Sequence, residues 1–117
     1  MNAARAMPVE VVQRQLEAYN AHDLAAFMAT YSESIRLYRL PNAASAFESK
    51  AAMAEFYGQH RFTIPDLHAE ILNRMVLGNK VVDHERVHGL PEGVIEAVAV
   101  YEVTDGLIEN VWFVYPQ

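Results

Sequence analysis

Residues 66–88 read DLHAEILNRMVLGNKVVDHERVH, two strand-like runs joined by the turn pair Gly78-Asn79. A Gly-Asn pair between two such runs is typical of a two-residue β-hairpin turn. Pairing outward from this turn sets Arg74 opposite Asp83, and opposite charges directly across two strands stabilise the pairing. The same register gives four further pairs: Met75 with Val82, Asn73 with His84, Ile71 with Arg86, and Ala69 with His88. The stretch therefore predicts an antiparallel hairpin.

This hairpin has two chemically different faces, because successive side chains of a strand point to opposite sides. Asp83 and Glu85 share one face, and His84 and Arg86 share the other. We expect His84 and Arg86 to face the interior of the protein. Glu85 is then expected on the outer face, together with Glu70.

A second hairpin is predicted from the β-branched and aromatic residues of 94–103 and 107–115. Thr104-Asp105-Gly106 favours a three-residue loop with glycine in the left-handed conformation. That loop places a set of five residues on one face: Ala97, Ala99, Tyr101, Val111 and Phe113. The alternative is a two-residue Asp105-Gly106 turn, which pairs Tyr101 with Asn110 and Ala99 with Trp112. A slip of one residue moves every side chain to the opposite face, so the two turns predict opposite faces for the last strand.

The first half of the chain carries helix signals. Pro8 suits a first helical turn, and Asp23 and Ser49 are suitable N-caps. The predicted elements are a helix over 8–20, a short helix after Asp23, a strand over 35–39, a short strand over 46–48 and a helix over 50–60. Helices followed by an antiparallel meander predict the α+β class, and we expect residues 1–117 to form a single domain.

Composition limits the classes of function. The 117 residues are 52% hydrophobic, contain no cysteine and carry a net charge of −6. An acidic chain without a basic cluster is not expected to bind nucleic acid or an anionic membrane surface. The first seven residues lack a long apolar run, so the expected location is the cytoplasm.

The order of the elements and three short motifs resemble the nuclear transport factor 2-like superfamily. This superfamily includes ketosteroid isomerases, SnoaL-like polyketide cyclases and limonene epoxide hydrolases. The motifs are VVQRQLEAYNAHDL at residues 11–24, Glu55-Phe56-Tyr57 and Asp105-Gly106-Leu107-Ile108. The resemblance implies a cystatin-like roll, in which a cone-shaped, curved mixed or antiparallel sheet wraps around three N-terminal helices and encloses a mostly apolar pocket.

Ketosteroid isomerases use a carboxylate base, together with a tyrosine and a protonated aspartic acid that stabilise an oxyanion. By position, the tyrosine falls on Gln15 and the protonated acid falls on Ala99. The base falls on Arg39, or on Leu40 if the nearby proline is taken as the anchor. We therefore expect no ketosteroid isomerase activity, although Tyr57 matches a supporting tyrosine of that family.

Limonene epoxide hydrolases use an Asp–Arg–Asp arrangement that positions water and protonates the epoxide. Arg86 matches the arginine of that arrangement by position. His88 stands at one aspartate position, and Phe113 stands at or near the other. This mechanism is not expected either.

The remaining candidates for catalysis are His84 and Arg86. Arg86 suits an oxyanion or carboxylate, and His84 suits proton transfer near neutral pH. The expected ligand-binding residues are Tyr19, Tyr38, Asn73, His84, Arg86 and Tyr101. His84 and His88 lie about 13 Å apart along an extended strand, too far apart to hold one ion. We predict no metal and no cofactor.

Two functions from different classes stay open. The first is an isomerase, lyase, cyclase or hydrolase that acts on a small hydrophobic molecule bearing one oxygen function. The alternative is a non-catalytic ligand-binding or dimeric adaptor module. Trp112 and the valines of the last strands predict an apolar outer sheet face, and hence a homodimer.

Overall fold

The structure, a computed structural model, describes residues 7–116. Within that range the chain forms three helices and five strands. In chain order these are α1 (Pro8–Asn20), α2 (Leu24–Met28), β1 (Tyr31–Arg39), α3 (Lys50–His60), β2 (His68–Leu77), β3 (Lys80–His88), β4 (Ile95–Thr104) and β5 (Leu107–Val114). No helix in the described range is long and apolar enough to cross a membrane.

The five strands form one curved, unclosed sheet in the order β1-β5-β4-β3-β2. β1 runs parallel to β5, and the other three pairings are antiparallel. Helix α1 packs across the inner face of the sheet, where it contacts β2, β3, β4 and β5. This arrangement confirms the predicted α+β class and the curved mixed sheet around the helices.

The predicted helices are confirmed by their caps and their buried stripes. The carboxylate of Asp23 accepts a hydrogen bond from the Ala26 amide, and the hydroxyl of Ser49 accepts one from the Ala52 amide. These side chains satisfy amide groups that a helix N-terminus leaves without intrahelical partners. Helix α1 buries five residues on one side: Val11, Val12, Gln15, Ala18 and Tyr19.

The strand predicted over 46–48 is wrong, and β1 begins four residues earlier than predicted, at Tyr31. One backbone hydrogen bond does join Ala46 to the carbonyl of Leu37. The next ladder position is occupied by the side chain of Ser45, whose hydroxyl accepts from the Leu37 amide and donates to the carbonyl of Phe47. A side chain thus replaces the backbone group that a second strand would supply.

The first hairpin follows the predicted register only near its turn. Met75 pairs with Val82, Arg74 with Asp83 and Asn73 with His84, as predicted. A bulge at Leu72 then shifts the register by one residue. Beyond it the predicted pairs are wrong, and the observed pairs are Ile71 with Glu85, Glu70 with Arg86, Ala69 with Val87 and His68 with His88. The extra residue lets both Arg74 and Ile71 lie on the inner face, because it interrupts the two-residue alternation.

The second hairpin combines features of both predicted turns. Thr104 pairs with Leu107, so the turn has the two residues Asp105-Gly106, both with positive φ. A shift between Glu102 and Val103 then brings Tyr101 opposite Val111 and Ala99 opposite Phe113. The turn predicted first is therefore wrong, whereas the predicted face of Ala97, Ala99, Tyr101, Val111 and Phe113 is confirmed.

The end of α1 is tied to β2 by side chains. The amide of Asn20 accepts a hydrogen bond from the Ala69 amide at 2.7 Å and donates one to the Ala69 carbonyl at 3.1 Å. The ring of His22 hydrogen-bonds to the carbonyl of Leu67 at 2.8 Å. These contacts fix the end of α1 against the edge of the sheet and stabilise one end of the cavity between the helices and the sheet.

Gly89 is expected to tolerate no side chain. Its φ is +92°, and a Cβ atom there would lie 2.3 Å from the carbonyl oxygen of Asp66. Gly93 is a matched control, because its φ is +103° but a Cβ would meet nothing within 4 Å. We expect Gly89→Ala to lower the free energy of unfolding by about 1–3 kcal/mol more than Gly93→Ala. Urea unfolding of the two variants measures this difference, and equal losses would show that the close approach to Asp66 is absent.

Candidate functional site

A cavity of about 80 Å³ lies between the inner face of the sheet and the helices, and it is partly open to solvent, with the exposed Arg39 and Tyr115 among its lining residues. A single water molecule needs about 10–15 Å³ on this scale, so the cavity has room for a small organic molecule or several waters. We call it the pocket. Its nineteen lining residues are Gln15, Leu16, Tyr19, Tyr31, Arg39, Phe56, Tyr57, Arg61, Ala69, Ile71, Asp83, Glu85, Val87, Leu90, Ile95, Ala97, Tyr101, Phe113 and Tyr115.

The lining is more polar than the sequence suggested. Ten of the nineteen residues carry a polar or charged group, among them the two carboxylates of Asp83 and Glu85. The pocket therefore contains more polar groups than the few that the sequence led us to expect. Of the residues predicted to bind ligand, Tyr19 and Tyr101 do line the pocket.

The other predicted site residues lie on the opposite side of the sheet. His84 and Arg86 are on the outer face, where the His84 Nε2 atom lies 2.6 Å from a carboxylate oxygen of Glu96. Arg86 contacts the same carboxylate at 3.7 Å, and Asn73 pairs with His84 across the strands. Tyr38 stacks on Trp112, with 6.1 Å between ring centroids, on that outer face. The expectation that these four residues face the pocket is wrong.

The reason lies in the composition of β3, which carries charged or titratable side chains on both faces. Periodicity alone separates Asp83 and Glu85 from His84 and Arg86, but it does not say which pair faces inward. Burial decides the question: Asp83 and Glu85 are 1% and 8% exposed. His88 is also on the outer side, where its Nε2 atom lies 2.9 Å from Glu70.

Asp83 forms the polar centre of the inner face. Its two carboxylate oxygens accept hydrogen bonds from Arg74 at 2.6 and 2.9 Å. A third bond runs from Arg74 Nη1 to the side-chain oxygen of Gln13 on α1, at 2.7 Å. The two-pronged pairing neutralises Asp83 and fixes its orientation, as is usual for arginine–carboxylate pairs.

Glu85 is next to Asp83 on the same face but has no such partner. Within residues 7–116 no group donates a hydrogen bond to its carboxylate. The pKa of Glu85 is raised from 4.5 to about 7, mainly by burial and also by the negative charge of Asp83, while Arg74 opposes the rise. The carboxylate of Glu85 therefore faces the pocket and is available to a molecule bound there.

Small residues on β4 leave room beside the two carboxylates. Ala97 lies opposite Glu85, and Ala99 lies opposite Asp83, in the antiparallel pairing of β3 with β4. A larger side chain at position 97 would extend toward the carboxylate of Glu85. The pocket thus owes part of its volume to Ala97, which lines it.

Five tyrosines line the pocket: Tyr19, Tyr31, Tyr57, Tyr101 and Tyr115. Burial raises the pKa of Tyr57 to about 12 and that of Tyr101 well above its usual value. Both phenols therefore stay protonated at neutral pH and can donate hydrogen bonds. Tyr31 already accepts one from Gln15, at 3.0 Å.

The mouth of the pocket carries two arginines. Arg39 stands at the end of β1, and Arg61 is the C-cap residue of α3. The sequence analysis did not select Glu85, Asp83 or Arg61. The paired charges of Arg74 and Asp83 were visible in the sequence. Their burial, which the structure gives, indicates that this face is the inner one.

A family model described as a SnoaL-like domain matches residues 12–111. No curated protein matches the chain.

Solved structures share the fold at low identity. An uncharacterised cystatin-fold protein from Novosphingobium aromaticivorans is 21% identical, with a TM-score of 0.81, over 92% of this chain and 97% of the other. The Δ5-3-ketosteroid isomerase from Mycobacterium sp. is 19% identical, with a TM-score of 0.80, over 95% of both chains. An NTF2-like protein from Cytophaga hutchinsonii is 12% identical, with a TM-score of 0.78, over 96% of this chain and 92% of the other.

Proposed function

The chain belongs to the family of SnoaL-like domains, and from this premise we propose that it is an enzyme that moves a proton on a small molecule in the pocket. Glu85 is the proposed general base, and in its protonated form the general acid. The proposed substrate is a largely apolar molecule with an oxygen function, because Leu16, Ile71 and Leu90 supply apolar contact in the same pocket.

One observation carries the proposal, namely that a carboxylate in the pocket wall is both desolvated and without a hydrogen bond. Glu85 is 8% exposed, and its pKa lies at about 7. A group whose pKa is close to the working pH transfers protons efficiently in both directions, because both of its forms are populated. Strongly shifted carboxylates in clefts are concentrated at catalytic sites.

The surrounding groups support the same chemistry. Removal of a proton next to a carbonyl places negative charge on its oxygen, which needs a hydrogen-bond donor. The protonated hydroxyls of Tyr57 and Tyr101 are available as donors, since neither is used within the described residues. Asp83 contributes by its charge, which raises the pKa of Glu85, and Arg74, which pairs with Asp83, opposes that rise.

The test uses 5-nitrobenzisoxazole, whose elimination needs only a base. The base takes the C3 proton, the N–O bond breaks, and the nitrile product carries a coloured phenolate. We expect the protein to accelerate this reaction, and Glu85→Gln to lower the rate by about 10²-fold or more. The rate should rise with pH through about 7, where the carboxylate of Glu85 forms.

Glu70→Gln is the matched control, because Glu70 lies on the outer face of the same hairpin and hydrogen-bonds His88. It should leave the rate unchanged. Equal rates for the wild type and Glu85→Gln would contradict the assignment of Glu85 as the base. Binding of small molecules without any base-dependent turnover would instead favour a non-catalytic binding module.

We further propose that two copies pair through the outer face of the sheet. One apolar row crosses all five strands there, and each member pairs with the next: Tyr38, Trp112, Val100, Val82 and Met75. Met75 is 57% exposed in the single chain. The partner that we propose is a second copy of the chain. Val100 is at the middle of the row, so a two-fold axis through Val100 brings the row of one copy against the row of the other in reverse order.

Val100→Lys is expected to convert the dimer into a monomer, because a charge in the middle of the row would be desolvated without a partner. Light scattering after size-exclusion chromatography should give twice the 13.2 kDa chain mass for the wild type and the single mass for the variant. Val94→Lys, in the exposed loop before β4, is the charge-matched control, because it makes the same change at a residue that is 58% exposed. A monomeric wild type at micromolar concentration would refute the pairing.

A further inference from the structure

The mouth of the pocket combines two cationic side chains from different elements. Arg39 comes from the last residue of β1, and Arg61 follows the last residue of α3. Both line the pocket, whereas the acidic residues Asp83 and Glu85 form part of its sheet wall. The pocket is therefore polarised, with positive charge at the opening and a carboxylate in the wall.

Neither arginine is neutralised by an acidic partner in residues 7–116. Every arginine–carboxylate pair within 4.0 Å in this range involves Arg74 or Arg86 instead. The guanidinium group of Arg61 lies over the ring of Phe56, with 5.0 Å from Cζ to the ring centroid. Phe56 also lines the pocket, so this stacking holds the charge of Arg61 at the opening.

The charges of both arginines reach the same two tyrosines. Burial raises the pKa of Tyr57 to about 12, and Arg39 and Arg61 oppose this rise. Burial also raises the pKa of Tyr115, again opposed by both arginines. The two guanidinium groups thus act on the same part of the pocket lining, although they come from separate elements.

We propose that the mouth of the pocket binds the carboxylate of the ligand through Arg39 and Arg61, so that the molecule taken up is an amphipathic organic acid. This inference rests on the proposed function and narrows its substrate class. The acid group stays at the opening, while the apolar body extends inward to Glu85. Planar guanidinium groups match a carboxylate well, because each offers two parallel donors.

A single negative charge fits this arrangement best. Arg74 is already neutralised by Asp83, which leaves Arg39 and Arg61 as the available cations. Glu85 is partly ionised at neutral pH and repels a second negative charge on the ligand. A monocarboxylate pairs with Arg39 and Arg61 at the mouth and brings no second negative charge close to Glu85 in the pocket wall.

The probes are trans-cinnamate and cinnamamide, which have the same shape and differ in charge. Both are titrated into ¹⁵N-labelled protein, and the shifts of pocket amides give the two dissociation constants. We expect cinnamate to bind about tenfold tighter than cinnamamide at low salt. Arg39→Gln and Arg61→Gln should each lower the preference about threefold, and the double variant should abolish it.

Arg36→Gln is the matched control, because Arg36 is in the same strand as Arg39 and hydrogen-bonds its own backbone region at Ser34 and Ile35. It should leave the preference unchanged. Equal affinities for the two probes, no binding of cinnamate up to about 10 mM, or a preference that survives in the double variant would each overturn the inference. Glu85→Gln separates it from the proposed function: that variant should lose base catalysis yet keep the preference for cinnamate.

Discussion

Glu85→Gln should make the protein more stable at pH 8 by about 3 kcal/mol, and the gain should nearly vanish at pH 4.5. The pKa of Glu85 in the folded state is about 7, against 4.5 for an ordinary glutamate. The folded protein therefore holds this proton up to about pH 7, while the unfolded chain releases it above about pH 4.5. Stability must fall as pH rises through this window, because the unfolded state binds fewer protons there.

Above pH 7 the wild type keeps a charged, desolvated carboxylate in the pocket wall, and glutamine removes that charge at similar volume. Urea unfolding of both proteins at pH 4.5 and pH 8 gives the two differences in free energy. Glu55→Gln, at an exposed position of α3, is the control and should change stability little at either pH. A difference for Glu85→Gln that is the same at both pH values would show that burial does not shift this group.

Arg74→Met should have the largest destabilising effect, lowering the free energy of unfolding by about 3 kcal/mol. The Arg74 and Asp83 side chains are 19% and 2% exposed. Removal of the guanidinium group leaves the carboxylate of Asp83 buried without its two hydrogen bonds. Methionine keeps most of the side-chain volume, so the loss reports the charge pair rather than a cavity.

The same substitution should raise the pKa of Glu85 further. Arg74 is the positive charge that opposes the effects of burial and of Asp83 on that group. The double variant Arg74→Met, Asp83→Leu should recover part of the lost stability, because no unpaired charge stays buried. Arg14→Met, on the exposed side of α1, is the control. A loss below about 1 kcal/mol for Arg74→Met would place the pair among weak surface ion pairs.

Local signals in the sequence predicted most of the fold. Asp23 and Ser49 cap the helices that follow them, and the Arg74–Asp83 pair fixed the register next to the first turn. The bulge at Leu72 was not predictable in this way, because nothing in that run distinguishes the extra residue from its neighbours. The strand expected over 46–48 failed for a similar reason, since the side chain of Ser45 takes the place of a backbone partner.

The site was predicted less well than the fold. Tyr19 and Tyr101 were placed in the pocket correctly, whereas His84 and Arg86 were assigned to the wrong face of β3. Histidine and arginine are familiar catalytic residues, but the inner face holds Asp83 and Glu85 instead. The Arg74–Asp83 pair was visible in the sequence, but only its burial in the structure shows that this face is the inner one.

Position 39 carries the opposite charge to the one that the resemblance to ketosteroid isomerases implies. The resemblance places a carboxylate base at Arg39 or Leu40, whereas this chain has the cation of Arg39 at the mouth of the pocket. The carboxylate of this pocket is on another strand, at Glu85. The chain thus keeps the enclosing shape while the positions of the acidic and basic groups differ.

The pKa of Glu85 is the quantity on which the proposed chemistry depends. It can be measured by ¹³C NMR of the side-chain carboxyl carbons between pH 3 and pH 9, with Glu85→Gln used to assign the resonance. We expect the Glu85 resonance to titrate with a midpoint of about 7. A midpoint near 4.5, the value of an exposed glutamate, would contradict the account.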